Sequence, residues 1–164
     1  MRKTFFLFFL NIVLSVDARF LDTDFFGERY DVAKETIVEM LGTPREMLGE
    51  DEIRYDSVEY DGMVWDEAYF RFTEGLLTEA RFYSKQLDKT SALHHATEIA
   101  ATMKKRHAMT KDYEDRRTFF YKGGRSPMKF GHLFTIFVSP FRGGWSTQLR
   151  YGPFKLERVP VTQK

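Results

Sequence analysis

Two adjacent histidines, His94 and His95, stand one helical turn before Glu98. Both belong to a run with helical periodicity, so His94–Glu98 has i,i+4 spacing and His95–Glu98 has i,i+3 spacing. Either pair could offer two ligands to a metal ion. Neighbouring helix positions diverge by about 100°, however, so the two imidazoles do not converge on one ion. A structural zinc needs about four ligands, and the other histidines, His107 and His132, have no such spacing. The chain has no Cys, hence no thiolate ligand, thiol nucleophile or disulfide. Serines in "RSP" and "VSP" sit in turn contexts, not in a G-x-S-x-G elbow. "KGGR" and "RGGW" pair glycines between strand-like runs, whereas a phosphate cradle feeds a helix N-terminus. The acid pairs Asp51–Glu52 and Asp66–Glu67 are adjacent on strand-like runs, so each pair faces opposite ways. No catalytic constellation emerges, and neither a metal nor a cofactor is expected. A small hydrolase using His95 or His132 with scattered acids stays as an alternative.

Binding chemistry is easier to place. "MVWDEAYFRF", Met63–Phe72, alternates between two faces. Val64, Ala68, Phe70 and Phe72 form one face, with Asp66 as its polar member. Trp65, Glu67, Tyr69 and Arg71 form the other. The next run places Leu76, Ala80 and Phe82 on the first face and Leu77, Glu79, Arg81 and Tyr83 on the second. Tyr, Trp and Arg bury much area while keeping a polar handle and concentrate at interface hot spots. Trp65, Tyr69, Arg71, Arg81 and Tyr83 are therefore the expected partner-binding residues. Cross-strand aromatic and charge pairs account for the same residues without a partner, so both readings stand at this level.

Charge is distributed unevenly. Residues 19–88 carry 8 Lys/Arg and 18 Asp/Glu, a net −10, and residues 89–164 carry 15 Lys/Arg and 5 Asp/Glu, a net +10. Mutual attraction of the halves explains this. An alternative is an anionic ligand on the basic half, held by Arg116, Arg117, Lys122, Arg125 and Lys129. The halves cancel, and the absence of a sustained positive field argues against nucleic acid.

The elements that must position these residues are legible as pattern. Residues 1–18, "MRKTFFLFFLNIVLSVDA", have two N-terminal cations, an apolar run of about ten residues, and Val16 and Ala18 at the −3 and −1 positions of a cleavage site. This is the pattern of a secretory signal peptide, and it is too short to span a bilayer. The expected protein is exported, periplasmic or secreted, and not integral to a membrane after cleavage. The remaining residues, about 146, suffice for a core without disulfides. A helical pattern from Asp31 ends at "GTP", Gly42–Pro44. Strand-like runs follow at 53–60, 63–73 and 76–84, joined by "DG" and "EG" turns. A second helix, capped by Thr90 or Ser91, carries Leu93, Ala96, Ile99, Ala100 and Met103 on one stripe. Runs at 113–122, 130–139 and 145–151 follow, connected by "GGRSP" and "PFRGG". The expectation is an α+β protein of two tandem α-β-β-β repeats, 19–88 and 89–164. Their antiparallel sheet carries helices on one face and leaves the other open. In the last run, either Trp145, Thr147, Leu149 and Tyr151 or Ser146, Gln148 and Arg150 would join the open face.

"GERYDVAKETIVEMLGTP" and "FRFTEGLLTEARF" resemble the repeat unit of β-lactamase-inhibitor-protein-like and SmpA/OmlA-type envelope proteins. The resemblance covers Gly27–Pro44 and Phe70–Phe82. It implies a tandem repeat whose concave sheet face grips another protein with aromatics. The open face itself leads to the expectation of a protein or envelope polymer as partner. The second half has no Leu-Gly-x-Pro turn, and no Cys is present for lipidation.

Overall fold

The computed structural model describes residues 20–114 and 119–156, with side chains omitted at 112–119. The expected signal segment, 1–18, and Arg116 and Arg117 lie outside the described residues. The chain is α+β. Helix α1 is Tyr30–Leu41 and α2 is Lys89–Met103; the strands are β1 Glu46–Leu48, β2 Glu52–Tyr60, β3 Met63–Thr73, β4 Leu76–Gln86, β5 Met109–Glu114, β6 Phe119–Arg125, β7 His132–Phe141 and β8 Gly144–Tyr151. All eight strands form one antiparallel sheet in the order β1-β2-β3-β4-β8-β7-β6-β5, so β4 and β8 form the seam between the chain's halves. No helix among the described residues is long and apolar enough to cross a membrane.

Local chemistry fixes most boundaries. Gly42 ends α1 at φ +83, and its N–H bonds to the Val38 carbonyl at 2.8 Å. Asp88, not Thr90 or Ser91, caps α2; its carboxylate accepts the Ser91 N–H at 2.8 Å. Accepting that bond lowers the Asp88 pKa. The two-residue turns Asp61–Gly62, Glu74–Gly75 and Arg142–Gly143 all have positive φ, the geometry that matches strand twist in tight hairpins.

Each half has four strands instead of the expected three. β1 lies within the charged stretch after α1, and the expected run 113–122 spans the end of β5 and the start of β6. The Gly123–Gly124 pair is not a hairpin turn either. Both residues lie in β6, where a Cβ on Gly123 would come within 2.7 Å of the Ala108 carbonyl and 2.9 Å of the Phe134 ring.

One core fills the space between both helices and one sheet face. Ala33 and Ile37 of α1 and Ala92, Ala96, Ile99 and Met103 of α2 meet Ile53, Phe70, Phe82, Ile136 and Leu149 there. The alanines on α2 let it approach closely enough for the Thr147 hydroxyl of β8 to donate to the Ala92 carbonyl at 2.8 Å. Among the contacts described, the ion pairs Arg150–Glu79 and Arg106–Asp61 join the halves.

The core contains a hydroxyl pair, Tyr60 and Tyr151, 3.2 Å apart, with the Leu21 N–H donating to Tyr60 at 3.0 Å. Burial pushes the Tyr60 pKa up to about 12 and that of Tyr151 well above 10. Raised phenol pKa values stabilise the neutral fold fully below pH 10, and that stability drains as pH rises towards about 12. At one unit above pH 10 the expected loss is about 1.4 kcal/mol per phenol. Urea midpoints measured upward from pH 8 should therefore fall steeply beyond pH 10. Tyr60→Phe should lower stability at neutral pH and flatten that alkaline fall.

Candidate functional site

Both helices lie on one sheet face, and no helix among the described residues covers the other. Tyr69, Arg71, Arg81 and Tyr83 meet on this open face. The hydroxyls of Tyr69 and Tyr83 are 3.3 Å apart. The guanidiniums of Arg71 and Arg81 lie 5.3 and 5.5 Å from the Tyr69 ring centroid, within cation–π range. Arg81 donates to the Tyr83 hydroxyl at 3.2 Å and, through Nε, to Glu79 at 2.7 Å.

Trp65 does not join them. It is 0% exposed and packs on the helix side against Phe82 and, across to α2, His95. Its indole N–H donates to the Tyr60 carbonyl at 3.2 Å. The reason is a paired change of face. Ser57 has φ +48, and the β2–β3 register steps from Asp56–Glu67 to Val58–Trp65. The Asp66 carboxylate takes the Lys85 N–H at 2.7 Å. Buried apolar positions are Ile53 and Tyr55 before this point and Val58 and Tyr60 after it; on β3 they are Trp65 before and Ala68, Phe70 and Phe72 after. Alternation resets by one residue on both strands together. Val64, expected in the core, is 67% exposed.

A second irregularity corrects Leu77. The β3–β4 register shifts between Arg71 and Phe72, leaving Thr78 as the extra residue. Leu77 thereby turns into the core opposite Phe72, while Glu79 stays on the open face opposite Arg71. On β8 the ambiguity resolves: Thr147, Leu149 and Tyr151 are in or against the core, and Arg150 bonds to Glu79 on the open face.

Glu79 organises the site. Its side chain is almost wholly buried and accepts from Arg81 Nε at 2.7 Å, Arg150 Nε at 3.1 Å and Arg71 Nη1 at 3.3 Å. Glu52 is a second anchor, bonded by Arg54 and by Arg71 Nη2, the latter at 3.1 Å. Burial works against the charge on Arg81, but its bonds to Tyr83 and Glu79 more than offset this and raise its pKa. Burial, then the contact with Tyr83, raises that of Tyr69. At neutral pH the site thus holds a cationic Arg81 beside a neutral Tyr69. A hollow of about 410 Å³ opens beside it, lined among others by Arg54, Tyr69, Arg71, Tyr83, Phe141 and Arg142. Arg54, Phe141 and Arg142 are not expected from sequence, and Glu52 enters there only as one of the adjacent acids Asp51–Glu52; Arg54 lies in the strand-like run 53–60 and carries a usable signal.

The cations expected for an anionic ligand are arranged differently. Arg125 and Lys129 line a cavity of about 650 Å³ whose wall also carries Asp22 and Asp24. Lys122 is on β6 opposite Thr135. His94 and His95 both reach Glu98, at 3.5 and 3.2 Å, and His132 Nε2 lies 2.9 Å from the Thr135 hydroxyl. No group of three or more potential metal-ligating His or acidic side chains occurs among the described residues. No protein-family model, curated protein or solved structure matches the chain.

Proposed function

We propose that this is an exported, non-catalytic binding protein that recognises a partner protein through the open sheet face. The observation that carries the reading is the packed set Tyr69, Arg71, Arg81 and Tyr83, held by Glu79 on a face that neither helix covers. These side chains are ordered by their own contacts, so little conformational entropy remains to be lost when a partner docks. Aromatic rings and guanidiniums over a rigid sheet are the composition of a binding hot spot. The element order, a helix followed by four strands in each half, supports a further part of the proposal: the halves are two copies of one unit, joined edge to edge by β4 and β8. Export rests on residues 1–18, and N-terminal sequencing that starts at Arg19 is its check.

The functional test is capture of a partner from an envelope extract by the protein from Arg19 onward. The captured protein is then purified and titrated against wild type and a Tyr69→Ser/Tyr83→Ser variant. The expected result is binding at least about tenfold weaker for the variant, with its thermal unfolding still cooperative. Equal affinity for both would remove the sheet face from consideration. Trp65 is unsuitable for this test, because its loss acts through the core.

A further inference from the structure

We infer that the open face takes an acidic segment of its partner, with carboxylates seated over Arg54 and Arg142 at the edge of the hollow. The inference rests on the sheet-face reading above and adds the chemistry of what binds there.

Charge around the hollow does not balance. Arg45 pairs with Asp56 at 2.9 Å and Lys85 with Glu67 at 2.7 Å, and these cancel. Four other arginines, Arg54, Arg71, Arg81 and Arg150, share three carboxylates, Glu46, Glu52 and Glu79, and Arg142 lies over the Phe141 ring with no carboxylate among the contacts described. Two positive charges are left over there. Hydrogen-bond donors are in similar excess. Arg71 uses three of its five N–H groups, and Arg150 bonds only through Nε among the contacts described. Arg54 is oriented by Glu52 at Nε and Glu46 at Nη1, and its Nη2 makes no bond among the contacts described; the fork geometry of a guanidinium matches carboxylates bidentately. Tyr69, Tyr83 and Phe141 line the same hollow and offer apolar surface to the methylene stem of an acidic side chain. Glu52 and Glu79 interleave with the arginines. That spacing suits separated single charges on a peptide better than a continuous phosphate backbone, which needs an unbroken positive field.

The test is a fluorescence titration of the protein from Arg19 onward with a labelled (Glu-Thr)6 peptide at low salt. (Gln-Thr)6 and a single-stranded oligonucleotide are run beside it. The expected result is saturable binding of the glutamate peptide alone. Arg54→Gln/Arg142→Gln should weaken it about tenfold, and the Lys double variant should restore part of the loss. Neither arginine holds Glu79, Arg71 Nη2 still bonds Glu52 when Arg54 is replaced, and cooperative thermal unfolding of the variant is the check on its fold. Arg125→Gln/Lys129→Gln should bind as wild type. The inference is overturned if the Gln double variant binds equally, if (Gln-Thr)6 binds as well, if the Arg125/Lys129 variant loses binding instead, or if the oligonucleotide binds more tightly. If no glutamate peptide binds while Tyr69→Ser/Tyr83→Ser still abolishes partner binding, the acidic assignment alone falls.

Discussion

Trp65→Ala should cost about 3–5 kcal/mol of folding stability, the range for deleting a large aromatic from a packed core. The ring is fully buried, 5.5 Å from Phe82 and 6.0 Å from His95 by ring centroids. It links β3 to α2, so its removal leaves a cavity under the helix that also exposes one end of the Phe82 ring to that cavity. The indole N–H satisfies the Tyr60 carbonyl at 3.2 Å. Trp65→Phe would fill part of the volume but leave that carbonyl without its donor, for a smaller loss of about 1–2 kcal/mol. Tyr69→Ser, four residues along the same strand but on the open face, should cost about 1 kcal/mol. Urea titration at unchanged m-value separates these cases. For a chain of this size the alanine variant should melt roughly 10 °C lower. A loss under about 1 kcal/mol for Trp65→Ala would return this residue to the surface and restore simple alternation along β3.

That contrast shows where sequence reading succeeds and where it stops. Asp61–Gly62 and Glu74–Gly75 are turns because few other dipeptides hold two successive positive φ angles at low cost, and that information is local. The stop at Gly42 and the burial of Ala96, Ile99 and Met103 on α2 are local too. Face assignment along a strand is different, because it carries parity from one residue to the next. Ser57 and the Asp66–Lys85 bond reset that parity on β2 and β3, and Thr78 resets it on β4. A serine, an aspartate and a threonine in strands give no warning of this. Tyr69, Arg71, Arg81 and Tyr83 share one face, as simple alternation has it, because they lie between the resets. Linear charge is a poor guide to the field for a related reason. The arginine-rich face is built mainly from β2, β3 and β4 of the acidic half, and pairing at the seam adds Arg150 from 71 residues away. The basic half's Arg125, by contrast, shares its cavity with Asp22 and Asp24.

Glu79→Gln is the second large effect expected, a loss of about 3 kcal/mol, the lower end of the cost of breaking a buried ion pair. The Glu79 side chain is 2% exposed and binds guanidiniums from β3, β4 and β8, so it crosses the seam between the halves. Glutamine keeps the shape and one acceptor oxygen, but it removes the charge and turns an N–H₂ towards donors. Arg71, Arg81 and Arg150 would then repel one another with no anion between them. Their side chains are 48%, 21% and 30% exposed, so partial rehydration limits the loss and sets it near the lower end. Glu67→Gln provides the contrast: its partner Lys85 and Glu67 itself are both over a third exposed, and such pairs contribute about 0.5 kcal/mol or less. Salt distinguishes the two mechanisms. Raising ionic strength should erase the small Glu67 effect and leave most of the Glu79 effect, because screening acts weakly on a buried charge. Hydrogen exchange should locate the damage at the seam, with faster exchange in β4 and β8 than in β6 for the Glu79 variant. If stability changed by less than about 1 kcal/mol, the arginines would be held by the sheet alone, and Glu79 could then be removed to give a more strongly cationic face for the acidic peptide to bind.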